Sequence, residues 1–434
     1  MKHQPTLSQI ENAFQPAKEI DAPDRFAGRQ QSVIDCYYAL ATQGASLAIV
    51  GNRGIGKSSL ARQVIRMATG DNTLIEKSLD HRVLERHDFL AMYFACGDAV
   101  RTSDDLLERL LTSSNCLRDW IYDIPTARTE VEGYQPKLSV GFASLGASLG
   151  AERRTESGAQ KAIAQHSIDT VFTNVVRELA NQGIAKHGIL IVVDEFDRIG
   201  DPTGFASFLK SLATNVPAVK FCLVGVAQDI KELMQEHEST DRLFAGSIVR
   251  LAAMTDDELA EIVRTAEAEI DRYLTFDQGA TERLAALAQG HPYMVHLVGK
   301  YALRHAFQTK VSVITSSDVD LTLEGIAERG ADPVLEGRYQ KAVASSPQRE
   351  SVLRALGSKI SRDGEVWTTE AYKVALDDDV DNSSQYLGQL VTPEYGAEIE
   401  KIRERFYRFK DSLFAAYVNA RPRQFSKSRA SEAN

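Results

Sequence analysis

Two hydrophobic rhythms alternate along the first 250 residues. Apolar runs occur at Ser46–Val50, Phe89–Ala95 and Gly188–Val193, and two further strands are expected at Val219–Val226 and, shorter, Ser247–Leu251. Runs of this length without polar alternation predict strands covered on both faces, as in a parallel sheet. Between them, apolar residues recur every three or four positions. Helices are therefore expected at Gln30–Thr42, at Ser59–Met67, at Asp104–Leu111 with Ser103 as N-cap, and at Ile168–Leu179. In the last of these Ile168, Val171, Phe172, Val175, Val176 and Leu179 share one face. Strands alternating with helices predict an α/β fold, a three-layer sandwich around a parallel sheet. Ile124–Gln160 breaks the rhythm: Leu138, Val140 and Phe142 alternate amid Gly141, Gly146 and Gly150, the pattern of a glycine-rich hairpin insertion.

After Leu251 the strand pattern stops. Thr255-Asp256-Asp257-Glu258 reads as a capping box opening a helix through Ile270, and helical periodicity continues at Gln278–Ala288, Tyr293–Ala306 and Ser317–Ala327. Residues near Gly330–Pro333 bridge to a third unit with helices at Pro347–Leu356, Thr369–Ala375 and Ser383–Leu390. A two-stranded wing over Glu398–Phe409 and a closing helix at Asp411–Tyr417 follow, an order that matches a winged helix. The expected organisation is an N-terminal extension (1–23), an α/β core (24–252) with an insertion at about 124–160, a helical lid (253–330), a winged-helix-like domain (331–420) and a disordered tail (421–434).

Composition narrows the setting. Four scattered cysteines without a C-x-x-C pair fit reduced thiols, and no apolar stretch approaches membrane-spanning length. The N-terminus lacks the apolar core of a signal peptide, so a cytoplasmic location is expected. A formal charge of −10 excludes a uniformly basic nucleic-acid coat but not a local basic patch. The histidines show no zinc spacing; His291 and His296 make a poor metal pair.

The candidate chemistry is concentrated in two segments. Gly51-Asn52-Arg53-Gly54-Ile55-Gly56-Lys57-Ser58 follows an apolar run and precedes a helix, which is G-x-x-x-x-G-K-[ST] in its proper setting. Glycines let successive N–H groups turn inward as an anion nest at a helix N-terminus. Lys57 would reach the β- and γ-phosphates of ATP or GTP, and the Ser58 hydroxyl would ligate Mg²⁺. Asp194-Glu195 ends a continuous apolar run, where Asp194 would hold the metal and Glu195 would take a proton from the attacking water.

The order of these segments resembles the P-loop ATPases of the AAA+/STAND group, of the origin-recognition-like type with a C-terminal winged helix. Arg25-Phe26-Ala27-Gly28-Arg29 is similar to that group's F-x-G-R box, Gly290-His291-Pro292-Tyr293 to its lid element, and Phe406–Asp411 to its wing end. The resemblance implies that Phe26, Gly28 and Arg29, together with Ser59, His291 and Pro292, contribute to ATP binding. It implies a sensor role for Gln228 and an arginine finger at Arg242 serving a neighbour's nucleotide, with Arg250 as the fallback. The lid element carries no arginine where that group usually has one, which favours the STAND-like variant. Two readings stay open: an ATP-driven switch that assembles a homo-oligomer or engages a partner protein, and a DNA-associated loader or transposition-type ATPase. The second would grip duplex through Lys401, Arg403, Arg405, Arg408 and Lys410, because the expected recognition helix Ser383–Leu390 holds no basic residue and follows Asp377-Asp378-Asp379.

Overall fold

The computed structural model describes residues 4–42, 44–79, 84–121, 167–226, 244, 246–330, 332–360 and 365–425. The expected insertion at 124–160 lies outside the described residues, as do Gln228, Arg242 and most of the tail. The chain divides into two compact units: Arg29–Gly51 with Lys57–Leu251, and Met1–Gly28 with Asn52–Gly56 and Ala252–Asn434.

The first of these units is a five-stranded parallel sheet. Its strands are β1 (Leu47–Gly51), β2 (Leu90–Ala95), β3 (Ile189–Asp194), β4 (Val219–Gly225) and β5 (Ile248–Leu251), in spatial order β2-β3-β4-β1-β5. Pairing Leu47 with Cys222 and Ile189 with Val219 levels the carboxyl ends of the three central strands. Every residue of β3 and β4 is buried, Lys220 on β4 included. Helices Gln30–Ala41, Lys57–Ala68, Ser103–Thr112, Ile168–Asn181 and Phe205–Asn215 belong to the same unit, and the Ile168–Asn181 helix buries its apolar stripe as its spacing predicts. One cap differs from expectation. Thr102, not Ser103, caps the Ser103–Thr112 helix, because Thr102 has the extended backbone and Asp105 three residues on completes a capping box.

Lys220, on the all-buried β4, spends its ammonium on the end of a helix. It donates to the carbonyls of Ala39 (3.2 Å), Leu40 (2.9 Å) and Thr42, capping Gln30–Ala41. Cys36, Cys96, Cys116 and Cys222 are all in this unit, all free and all buried. Burial pushes the Cys96 thiol up to about 12 and that of Cys116 to about 11, and raises Cys36 and Cys222 further.

The second unit is mostly helical, with one apolar core running from Ile10 to Ala420. The strands do not stop at Leu251, as the apolar pattern suggested. Two-residue strands β6 (Thr275–Phe276) and β7 (Val313–Ile314) pair in parallel inside the helical array, too short to leave a periodic signal. Helix Pro333–Val343 begins where the stretch read as a bridge ends and is not among the expected helices; Asp332 caps it by accepting from the N–H groups of Val334 and Leu335. The N-terminal segment is also ordered. Thr6 builds a capping box on helix Leu7–Ala13, and Ile10 and Phe14 enter the core. A Cβ on Gly299 would lie 2.7 Å from the Phe14 ring, so that glycine makes the seat for this segment. Toward the C-terminus, helices Pro347–Ser358, Thr368–Leu376, Ser383–Leu390 and Ser412–Ala420 accompany a sheet of order β8-β10-β9: β8 (Glu365–Trp367), β10 (Phe406–Phe409) and β9 (Ile399–Arg403). The expected wing thus gains a third strand.

Candidate functional site

Gly51 ends β1, and the chain turns through Asn52–Gly56 into the helix that starts at Lys57. Gly54 (φ +70°) and Gly56 (φ +99°) adopt left-handed backbone that a side chain would strain. In the unit that contains the turn, a Cβ on Gly54 would lie 2.9 Å from Leu413, and one on Gly56 would lie 3.9 Å from Pro292. Asn52 and Arg53 are exposed and Ile55 is buried. In the sheet unit, Lys57 Nζ donates to the Gly51 carbonyl at 3.0 Å, which holds its ammonium at the base of the turn. Ser58 and Ser59, half-buried, open the helix beside it.

Asp194 ends β3, two strands from β1 with β4 between them. Its carboxylate is buried and held on both oxygens. Oδ1 accepts from the Glu195 N–H at 2.7 Å, and Oδ2 accepts from the Tyr93 hydroxyl. Tyr93 is on the neighbouring β2, and the Arg62 guanidinium lies 3.5 Å above its ring centre. Glu195 turns out of the sheet in left-handed backbone (φ +54°) and pairs with Arg198 at 2.8 Å; Arg198 also reaches Asp98 at 3.1 Å. The carboxylate expected to act as a base is therefore half-exposed and balanced by a local cation.

Mg²⁺ takes hard oxygen ligands and keeps several waters, needing only one or two carboxylates beside substrate phosphates. A hydroxyl (Ser58) and a buried, pre-oriented carboxylate (Asp194) fit that demand chemically. Among the described residues no cluster of three or more His, Cys, Asp or Glu side chains could hold a metal ion by itself.

The F-x-G-R residues divide between the two units. Phe26 follows a short 3₁₀ turn and is half-buried. Gly28 (φ +63°) donates its N–H to Glu261 Oε2 at 3.0 Å, and a Cβ there would meet Glu258 Cγ at 2.8 Å. Arg29, buried and also left-handed, is the N-cap residue of Gln30–Ala41. In the segment expected to form the lid element, Gly290 accepts from the Met254 N–H, and buried His291 precedes Pro292 at the start of helix Pro292–Thr309. Tyr293 donates to Asp332 at 2.5 Å. His296 is a structural residue: its Nδ1 accepts from the Gln15 N–H at 3.3 Å, and burial pushes its pKa down to about 4.

The basic residues of the expected wing are not all available. Arg403 makes a two-pronged pair with Glu365 on β8 (3.1 and 2.8 Å), and Arg408 pairs with Glu400 on β9. Arg405 sits at the β9–β10 turn (φ +65°), and Lys401 and Lys410 are exposed. Gln389 of the Ser383–Leu390 helix accepts from Arg349 at 2.7 Å. Arg250 is exposed on β5.

Tyr93, Arg62, Arg198 and Glu261 escaped sequence reasoning. For Tyr93 a signal existed: a phenol in an apolar strand needs a hydrogen-bond partner when covered. The other three announce themselves only through contacts.

A parallel sheet with a glycine-bearing G-K-S turn after one strand and an acid at the tip of another, with a third strand between them, defines a P-loop NTPase. The family described as Novel STAND NTPase 1 matches residues 12–355. The chain belongs to that family. It is similar in structure to the Walker-type ATPase PABY2304 of Pyrococcus abyssi, with TM-score 0.52 and 15% identity over 93% of this chain and 98% of that one. Other structural matches are Cdc6p from Pyrobaculum aerophilum (TM-score 0.44, 12% identity, 94% and 96% coverage) and the Aeropyrum pernix ORC1 protein in complex with DNA (0.45, 14%, 94% and 95%). No curated protein matches.

Proposed function

We propose that this protein binds ATP with Mg²⁺ and hydrolyses it as a molecular switch, coupling nucleotide state to assembly with copies of itself or with a partner protein. The observation that carries the reading is the placement of Gly51–Ser58 and Asp194–Glu195 at the carboxyl ends of β1 and β3 in one parallel sheet. In this reading the 51–58 turn cradles the phosphates through its N–H groups. Lys57 swings from the Gly51 carbonyl to the β- and γ-phosphates, Ser58 and Asp194 hold the metal, and Glu195 orients and deprotonates water. Phe26, Gly28, Arg29 and Ser59 complete the nucleotide pocket, with His291 and Pro292 bringing the lid to it. Gln228 senses the γ-phosphate and Arg242 is offered to a neighbour's nucleotide.

The helix–strand–helix–helix–strand–strand order over residues 347–409 supports reading 331–420 as a winged helix. The ion pairs on Arg403 and Arg408 and the Arg349–Gln389 bond favour its use as a protein-contact module over duplex binding. No helix among the described residues is long and apolar enough to cross a membrane, and the reading places the switch in the cytoplasm.

The test is a titration of a fluorescent ATP analogue followed by steady-state phosphate release. Lys57→Ala should weaken binding at least a hundredfold, because the cradle loses its only phosphate-reaching cation from this helix turn. Wild-type affinity in Lys57→Ala would sink the assignment.

A further inference from the structure

The carboxylate expected to carry the metal has an unusual tether. A buried Asp left to itself must neutralise or find donors, because an unpaired charge in low dielectric is costly. Asp194 has two donors, and they differ in kind. The Glu195 N–H is backbone and comes with the turn after β3. The Tyr93 hydroxyl is a side-chain donor from another strand. The β2–β3 register sets Phe94 against Val193 and Ala95 against Asp194, so Tyr93 lies two positions before the residue directly opposite. Alternate residues share a face of the sheet, which lets its phenol reach along the strands to the carboxylate. The ring is in turn covered by Arg62, five residues after Lys57 on the same helix. One chain of contacts thus runs from the phosphate-loop helix, through a guanidinium and a phenol, to the acid at the tip of β3.

We infer that Tyr93 is a positioning residue that fixes the rotamer of Asp194 for Mg²⁺-bound nucleotide. With Oδ2 held by the phenol and Oδ1 by the backbone, each oxygen keeps one lone pair in a set direction for the metal or its water. Without the hydroxyl, the carboxylate is tethered at one oxygen only and can rotate about its terminal bond. Hydrogen-bond partners of metal ligands typically control metal affinity by ~10- to ~100-fold. The inference rests on the proposed nucleotide site and adds to it a specific dependence on metal.

The experiment measures affinity for a fluorescent ATP analogue in EDTA and across a Mg²⁺ series, with no need for turnover. Tyr93→Phe deletes one oxygen and no carbon, so packing against Arg62 survives. The expected result is analogue affinity in EDTA within about twofold of wild type, because the phosphate cradle is untouched, and a roughly tenfold higher Mg²⁺ concentration for the half-maximal metal effect. Arg62→Met keeps cover over the ring without its charge and should leave the Mg²⁺ midpoint within about threefold. An unshifted midpoint in Tyr93→Phe overturns the inference. So does an equal shift in Arg62→Met, which would assign the effect to ring packing rather than to the hydroxyl. A uniform loss of affinity in Tyr93→Phe, the same with and without metal, also overturns it, since that is what a general structural defect gives. If wild type binds the analogue in neither condition, the proposed function itself falls and this inference with it.

Discussion

Replacing Gly28 by alanine tests how the segment before the sheet is joined to helix Asp256–Ala268. Gly28 has φ +63°, and a side chain in left-handed backbone costs ~1 kcal/mol or somewhat more. The added Cβ would fall 2.8 Å from Glu258 Cγ and 2.9 Å from both Glu258 Cβ and Oε1. Real contacts are longer, so Glu258 must withdraw. Its carboxylate, however, accepts from the Thr255 N–H at 2.9 Å, closing the capping box on helix Asp256–Ala268. Losing a helix N-cap costs ~1 kcal/mol, and residual crowding of a packed site adds ~1–2 kcal/mol. The total is about 3–4 kcal/mol.

The chain has two tryptophans, Trp120 in the sheet unit and Trp367 in the helical one. In a Trp120→Phe background, Trp367 emission follows urea unfolding of the unit that holds Gly28. Glu258→Ala removes two of the three close atoms, so combining it with Gly28→Ala should be less damaging than the sum of the two, by ~1 kcal/mol. A loss below ~0.5 kcal/mol for Gly28→Ala, or strict additivity of the pair, would refute the argument.

Glu195→Gln should bind the ATP analogue as wild type does and turn over at least a hundredfold more slowly, because the amide cannot accept the proton; phosphate release at the wild-type rate under saturating ATP would contradict the role. Mixing Arg242→Ala with Lys57→Ala protein should recover part of the ATPase if the arginine acts on a neighbour's nucleotide, and co-assembled mixtures without recovery would exclude a shared site. His296 links stability to acid. Its folded pKa lies near 4 and its unfolded pKa near 6.5, so below pH 6.5 the unfolded chain takes up a proton that the native ring refuses. Stability is complete above pH 6.5, falls by up to ~1.4 kcal/mol per pH unit through the window, and levels off below about 4. His296→Asn, which keeps an acceptor for Gln15, should flatten the Trp367-monitored pH profile over that range.

The elements most legible in the sequence were those whose stabilising pattern is local. Helices Gln278–Ala288 and Ser383–Leu390 begin and end where periodicity puts them, and β3 follows its apolar run. What escaped was set by distant partners. Helix Leu7–Ala13 offers only two apolar anchors in a polar stretch, and it becomes visible only once Phe14 is known to fill the space over Gly299. Helix Pro333–Val343 begins with a proline that reads equally as a loop until Asp332 is seen capping it. The G-K-S turn and the D-E strand end are legible because phosphate chemistry demands a contiguous motif. Tyr93, Arg62 and Arg198 are not, since residue 93 and residue 194 become neighbours only when β2 pairs with β3. Arg403 and Arg408 on β9 and β10 show the opposite failure: their charges read as a free basic surface, and only the sheet reveals Glu365 and Glu400 beside them.

The distribution of cysteines equips the protein with a chemical clock. All four thiols are buried in the sheet unit and none in the helical one, and burial keeps each in the unreactive protonated form. A thiol reagent added to the native protein can consume them only as that unit opens, so the labelling rate counts openings there while remaining blind to motion elsewhere. A nucleotide bound to the folded sheet unit slows this clock by a factor of 1 + [L]/Kd, so the halt of a simple colour reaction reports occupancy of the unit without a fluorophore, a mutation or a turnover assay.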